Sequence, residues 1–285
     1  VSSTDLDAYA REHGLERVGA RPPFTEYVAE LWRRRAFAFT MARYKVQASM
    51  SDNRLGMGWI VLKPILNAAL FGLIFGVIMP SDSRPENFIP FLVSGVFIFE
   101  YFSKSFGSGA RAIIGNSSLV RSLSFPRMLL PISSVLQQVV ELVPMLIVMG
   151  AILLFFGEPL TWGWLMIVPI MALMTLFNLG VALISARLTV HMRDVTQFIP
   201  LITRVLFYSS GIFYSLELVL KDDPELLRLA QLNPVHDYIA LVRGYMVEGN
   251  VVSPLIWWVA TGAAFVTFAI GVVYFWRAEE RYGRD

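Results

Sequence analysis

The sequence predicts an all-α membrane protein. It has six transmembrane helices with both termini cytoplasmic, an N-terminal amphipathic interface helix, and an outer re-entrant helical hairpin between spans five and six. Three observations predict this. Hydrophobic residues make up 55% of the 285-residue chain, and mean hydropathy is +0.57. Charged residues make up only 16%, against about 25% in soluble domains. The apolar residues gather into runs near the ~20 residues that a helix needs to cross a bilayer. The basic residues are also unevenly placed. With six spans, 16 of the 24 Lys and Arg fall on the side of the termini and 4 on the other, so the positive-inside rule puts both termini in the cytoplasm. The expected location is the plasma (inner) membrane, as a multi-pass protein.

Composition also excludes functions. The chain has no Cys, which removes disulfides, thiol catalysis and Cys-bound zinc. A net charge of +2 does not suggest a nucleic-acid partner. No G-x-x-x-x-G-K-[S/T] loop or H-E-x-x-H pair is present, no metal-ligand set accompanies His191, and no nucleophile–base set is visible. The chain is therefore expected not to be an enzyme and to hold no cofactor or metal of its own.

The chain divides into a cytoplasmic tail and interface helix (1–56), a six-span domain (57–276) and a cytoplasmic tail (277–285). Residues 1–23 are polar, with Asp5, Asp7, Glu12 and Pro22–Pro23, and lack the apolar core of a cleavable signal. From 25 to 44, Val28, Leu31, Trp32, Phe37 and Phe39 alternate with Arg33, Arg34, Arg35, Arg43 and Lys45. A basic helix carrying Trp and Phe suits the membrane interface, with arginines at headgroups and rings at the acyl boundary. A soluble helix packed on a partner has the same pattern.

Span one (57–79) carries Lys63, which can snorkel to the near side. Its Gly72 and Gly76 form a small-xxx-small pair that permits close helix contact. Span two (88–106) carries Glu100 and Lys104, one turn apart and able to pair. An ion in the bilayer costs about 2.5–3.5 kcal/mol on insertion scales, so such groups should face protein or water. Span three (129–156) has Glu141 near its middle, able to pair with Lys104 or face a wet cavity, and Pro144 to bend it. Span four (162–188) opens on Trp162 and Trp164, as interfacial belts do. Span five (198–214) is short and carries Arg204. Span six (255–276) ends in a basic tail. Between spans five and six, residues 215–253 read as two short amphipathic helices: one from Asp223–Pro224, which Asn233–Pro234 breaks, and one over 237–247.

The polar island at 107–128 stands between spans two and three. Asn116, Ser117 and Ser118 are N-cap candidates ahead of Leu119–Val120–Arg121, and Pro126 closes the short helix. An ordinary cytoplasmic loop carries the same residue types.

Several stretches then combine: Arg43–Tyr44–Lys45, Leu55–Gly56, Trp59 and Lys63–Pro64; Asn116 through Leu119–Val120 to Phe125–Pro126–Arg127 and Leu130–Pro131; Arg193–Asp194–Val195; Ser209 to Tyr214; and Asn233–Pro234 with Arg243. In order and spacing they resemble the membrane (permease) subunit of ABC-type polysaccharide exporters (ABC-2 type transporter permeases), which move O-antigen, capsule, teichoic acid or galactan chains. Gly211 stands where that family usually has proline. The resemblance implies a homodimer with two ATP-binding cassette ATPase subunits, which would hold the ATP and Mg. It implies a coupling helix at Asn116, Ser117, Ser118, Leu119, Val120 and Arg121, docked on each ATPase. A gate helix would carry Trp32, Arg33, Arg34 and Arg35, and the outer hairpin would form a lid. The cargo would be a lipid-pyrophosphate-linked glycan, of O-antigen or galactan type as in lipopolysaccharide export. Arg43, Lys45 and Arg54 are candidate pyrophosphate contacts. Positive-inside bias explains those basic residues equally well. Trp162, Phe207, Tyr208, Phe213 and Tyr214 are candidate path aromatics; lipid belt or core is the commoner role for such residues. Glu100, Lys104, Glu141 and Arg204 are the intramembrane ions. Alternatives are an exporter of teichoic acid, drugs or lipids with the same fold, and a membrane-embedded glycolipid enzyme.

Overall fold

The computed structural model describes residues 22–51, 56, 58–78, 87–250 and 252–282. Arg54, residues 1–21, residues 79–86 and residues 283–285 lie outside them. All regular structure among the described residues is helical. In chain order the helices are α1 (Phe24–Arg33), α2 (Arg35–Ser51), α3 (Gly58–Leu73), α4 (Phe88–Ala110), α5 (Ser117–Ser122), α6 (Leu129–Phe155), α7 (Ile167–His191), α8 (Val195–Ser209), α9 (Leu216–Val219), α10 (Pro224–Ala230), α11 (Pro234–Met246) and α12 (Pro254–Trp276). A π-helical turn (Ile74–Ile78) extends α3, and a 3-10 turn (Trp162–Met166) leads into α7.

Among the described residues, five helical stretches are long and apolar enough to cross a membrane: Gly58–Gly76, Phe88–Ala110, Leu129–Phe155, Trp162–His191 and Pro254–Trp276. The expected span five is the 15-residue α8. At 1.5 Å per residue it reaches about 22 Å, short of a ~30 Å hydrocarbon core.

Helix α4 forms the axis and is buried along most of its length, with α6, α7 and α11 packed around it. Small residues set the closest crossings. A Cβ on Gly180 of α7 would lie 2.4 Å from the Thr267 carbonyl carbon of α12, and one on Gly109 of α4 would lie 2.4 Å from Ala182 Cβ. In lipid, helices associate through such close packing rather than through a hydrophobic drive. Gly72 and Gly76, the pair that the spacing singled out, make only ordinary contacts with Leu92 and Phe88 of α4.

The interface helix is not continuous. Arg34 leaves helical geometry (ψ 15°) and separates α1 from α2, and α2 lies along α6. The outer hairpin also departs from expectation. Asn233–Pro234 starts α11 rather than ending its predecessor. The Asn233 side chain accepts from Val235 N at 3.1 Å and Pro234 takes the first helical position, where its missing N–H costs nothing. Helix α11 is interior: Tyr238, Ile239, Leu241 and Val242 are fully buried. Asp237 is buried with no partner among the described residues. It sits in the first turn of α11, where the helix dipole favours negative charge.

Arg243 of α11, counted from sequence among the outer loop charges, is buried. Its Nη1 donates to Gly211 O (2.8 Å), its Nη2 to Phe91 O (2.9 Å) and Ile212 O (2.8 Å), and its Nε to Phe91 O (3.1 Å). The guanidinium lies 3.3 Å from the Phe91 ring centroid. It joins α11, α4 and the turn after α8. That turn needs Gly211, whose φ of +63° lies in the left-handed region. Proline, fixed near −65°, could not make it.

Candidate functional site

The polar island folds as a 3-10 turn (Ile114–Asn116) running into the six-residue α5. Asn116 does not cap it. Its Nδ2 donates backward to Ala112 O at 2.7 Å, so the side chain secures the preceding turn instead. Within α5, Ser117, Ser118 and Arg121 are exposed and Leu119 is half-buried, whereas Val120 is 5% exposed and packs inward near Tyr27, Ile113 and Met128. Val120 thus holds α5 down, and the outward face is formed by its neighbours. Leu123 follows in extended geometry and is exposed.

The segment after α5 is tied to both ends of the chain. Glu279 is buried beyond α12. Its Oε2 accepts from Tyr27 Oη at 2.7 Å and its Oε1 from Arg127 N at 2.9 Å. Arg127 Nη1 donates to Glu279 O at 2.8 Å and lies 3.7 Å from Oε1. Burial pushes the Glu279 carboxyl up, while the Arg127 N–H, Tyr27 and the Arg127 charge pull it down. Met128 N donates to Tyr27 Oη at 3.3 Å, and Trp276 Nε1 to Pro22 O at 3.1 Å. Arg34 Nη1 donates to Ser124 O at 2.7 Å, and Phe37 packs on Phe125. A cavity of about 590 Å³ lies between α1 and residues 124–127.

This arrangement sorts the gate candidates. Arg34 is engaged by Glu30 and Ser124, so it staples α1 to the loop. Trp32, Arg33 and Arg35 are exposed, and Arg35 stacks 4.8 Å from the Trp32 ring centroid. Tyr27 and Glu279 escaped the sequence reading. They stand 252 residues apart, and only an acid within a basic tail hinted at either.

A second polar group lies lower in the helix bundle. Glu100 and Lys104 pair at 3.5 Å. Glu141, 7% exposed, accepts from Gln137 Nε2 at 2.9 Å. Lys63, Lys104, Glu141 and Trp59 line one cavity of about 440 Å³, although no ion pair joins Glu141 to Lys104 among the described residues. The pyrophosphate candidates divide. Arg43 is exposed. Lys45 donates to Ser134 Oγ at 2.8 Å, and burial lowers its pKa to about 8. Arg204 projects from α8, exposed and without a partner among the described residues.

The aromatic candidates divide too. Phe207 and Phe213 sit in a ring cluster with Phe71, Phe75 and Phe99. Tyr208 stays exposed, and Tyr214 half-exposed. Trp162 is 89% exposed and joins none of these rings.

Residues 38–247 match the ABC-2 type transporter family. The chain belongs to that family. The matched stretch runs from α2 past α11, so it contains α5, the paired ions and Arg243. Similar proteins include an O-antigen export system permease protein, RfbA, of Klebsiella pneumoniae, 26% identical over 201 residues that cover 70% of this chain and 75% of the relative. Another, also named O-antigen export system permease protein RfbA, is from Myxococcus xanthus, 27% identical over 221 residues that cover 76% and 82%. As an ABC-2 type transporter, the protein is a multi-pass membrane subunit of a transport system.

Proposed function

We propose that two copies of this chain form the membrane channel of an ATP-driven exporter of a lipid-pyrophosphate-linked polysaccharide, of O-antigen or galactan type. Two separate ATPase subunits, carrying the ATP and Mg, dock on α5. In this reading α8 and the turn after it complete a sixth crossing. Both termini and residues 107–128 face the cytoplasm, and residues 215–253 face outward. The curated relatives' names support the cargo, and the excess of basic residues on one side supports the orientation. The exposed Arg204 supports a second copy or a watery path beside α8, since lipid would penalise it by about 2.5–3.5 kcal/mol.

One observation carries the proposal. The short helix α5 presents an exposed face at the end of two long helices while Tyr27, Glu279 and Arg127 tie the adjoining loop to α1. Force applied at α5 therefore reaches the interface helix through paired side chains. The test is co-purification with its partner ATPase. Leu119→Glu with Leu123→Glu should abolish the complex and leave the isolated chain folded; Val120 is avoided because it belongs to the core. Retained association in that variant would contradict the docking role.

A further inference from the structure

On the face opposite α5, a cavity of about 630 Å³ opens between the first turn of α4, the turn after α8, α11 and residues 247–250. Its lining includes Asn87, Tyr214, Glu217, His236, Glu248 and Asn250. The chemistry of these groups is one-sided. Arg243 also lines the cavity, with four of its five N–H donors taken by the Phe91, Gly211 and Ile212 carbonyls. Tyr214 donates its hydroxyl to Tyr208 O at 2.7 Å, which leaves its ring as an apolar face. Asn250 uses Nδ2 on Val247 and Glu248 carbonyls, which leaves its oxygen.

His236 is 3% exposed. Its Nδ1 lies 3.2 Å from Ser210 O; a carbonyl only accepts, so Nδ1 carries the proton and Nε2 is an acceptor. That Nε2 has no partner among the described residues. The cavity thus offers mostly acceptors, among them two carboxylates, with the Asn87 amide and one aromatic face. Among the described residues no group of three His, Asp or Glu could hold a metal ion.

We infer that this cavity is a binding site for neutral sugar residues, which donate hydroxyls to Asn87, Glu217, Glu248 and Asn250 and lay a ring face on Tyr214. Sugars carry many donors around an apolar face, and a concave site with a few convergent polar groups recognises them. The two carboxylates outnumber the single Arg243 charge on the lining, so the net repulsion disfavours acidic sugars. The inference rests on the orientation and cargo proposed above. The site would receive the glycan as it leaves the membrane.

The test uses the full chain with its ATPase in nanodiscs and saturation-transfer NMR with lactose and mannobiose, against digalacturonate. Saturation transfer to a neutral disaccharide is expected, with digalacturonate weaker by about tenfold or more, equivalent to ~1.4 kcal/mol. Tyr214→Leu and Glu217→Gln, both outside the tightly packed core, should each weaken the neutral sugar by a similar factor. Absence of transfer from both neutral sugars, or transfer unchanged in both variants, overturns the site. Sealed vesicles of known orientation separate this from the reading beneath it. Binding from the outer side supports the exit role. Variant-sensitive binding from the cytoplasmic side alone keeps the sugar site but overturns the orientation, and with it the exit role.

Discussion

At the scale of single residues, the strongest constraint is the place made for Arg243. A Cβ on Gly95 would lie 2.4 Å from Arg243 Nη2. Gly95 is thus what lets a buried guanidinium reach three carbonyls. Gly95→Ala should displace it and cost about 1–3 kcal/mol through overpacking, seen as a lowered thermal midpoint. Gly262→Ala on α12, where a Cβ meets nothing, should leave the midpoint unchanged or raised, because alanine favours a helix over glycine by up to about 1 kcal/mol. Equal effects would show that Gly95 is not tied to Arg243.

Lys45 makes a pH-dependent prediction. Burial lowers its pKa from 10.5 to about 8, so between those values the unfolded chain binds the proton and the folded chain does not. Stability from this group therefore rises with pH across that window, and below pH 8 the full penalty applies. Lys45→Met removes the penalty. Its stability relative to the native protein should be highest below pH 8 and fall as pH rises toward 10.5. A difference that does not vary with pH would show that Lys45 is not desolvated.

At the scale of elements, α1, the loop after α5 and the end of α12 behave as one unit through Glu279. Glu279→Gln keeps the size but places donors where Tyr27 Oη and Arg127 N already donate. Mispairing one buried group costs about 1–3 kcal/mol. Hydrogen exchange should rise at residues 24–33 and 123–128 together, and export should fall more than ATPase binding. Faster exchange in one segment only would show that Glu279 does not couple them.

The long apolar helices were legible in sequence because five of them carry their signal locally, residue by residue. The 15-residue α8 falls below that signal. Helix α11 was legible as a helix, but its start was misplaced. Asn233–Pro234 signals both a break and an N-cap, and only the side-chain bond to Val235 decides between them. The Tyr27–Glu279 contact joins residues 252 apart, and an acid within a basic tail was its one local hint. The Gly180 crossing had no local signal, since a single glycine does not announce its partner helix. The site followed the same pattern. The position of α5 was visible, whereas the inward turn of Val120 depended on packing.

At the scale of the whole molecule, the two faces differ in chemistry. One carries α5 and its buried ties to α1 and Glu279; the other carries an acceptor-rich cavity. Helix α4 runs between them, buried along most of its length. The central claim is that α5 is where a soluble ATPase acts on this membrane subunit. The chain has no Cys, so Ser118→Cys introduces a single thiol on the exposed face of α5. With a cysteine-free ATPase carrying one thiol in its membrane-facing groove, oxidation should trap a crosslinked pair, and the Ser118→Cys thiol should be modified by impermeant reagents from the cytoplasmic side alone. Modification from the outer side, or no crosslink in an assembled complex, would contradict the account.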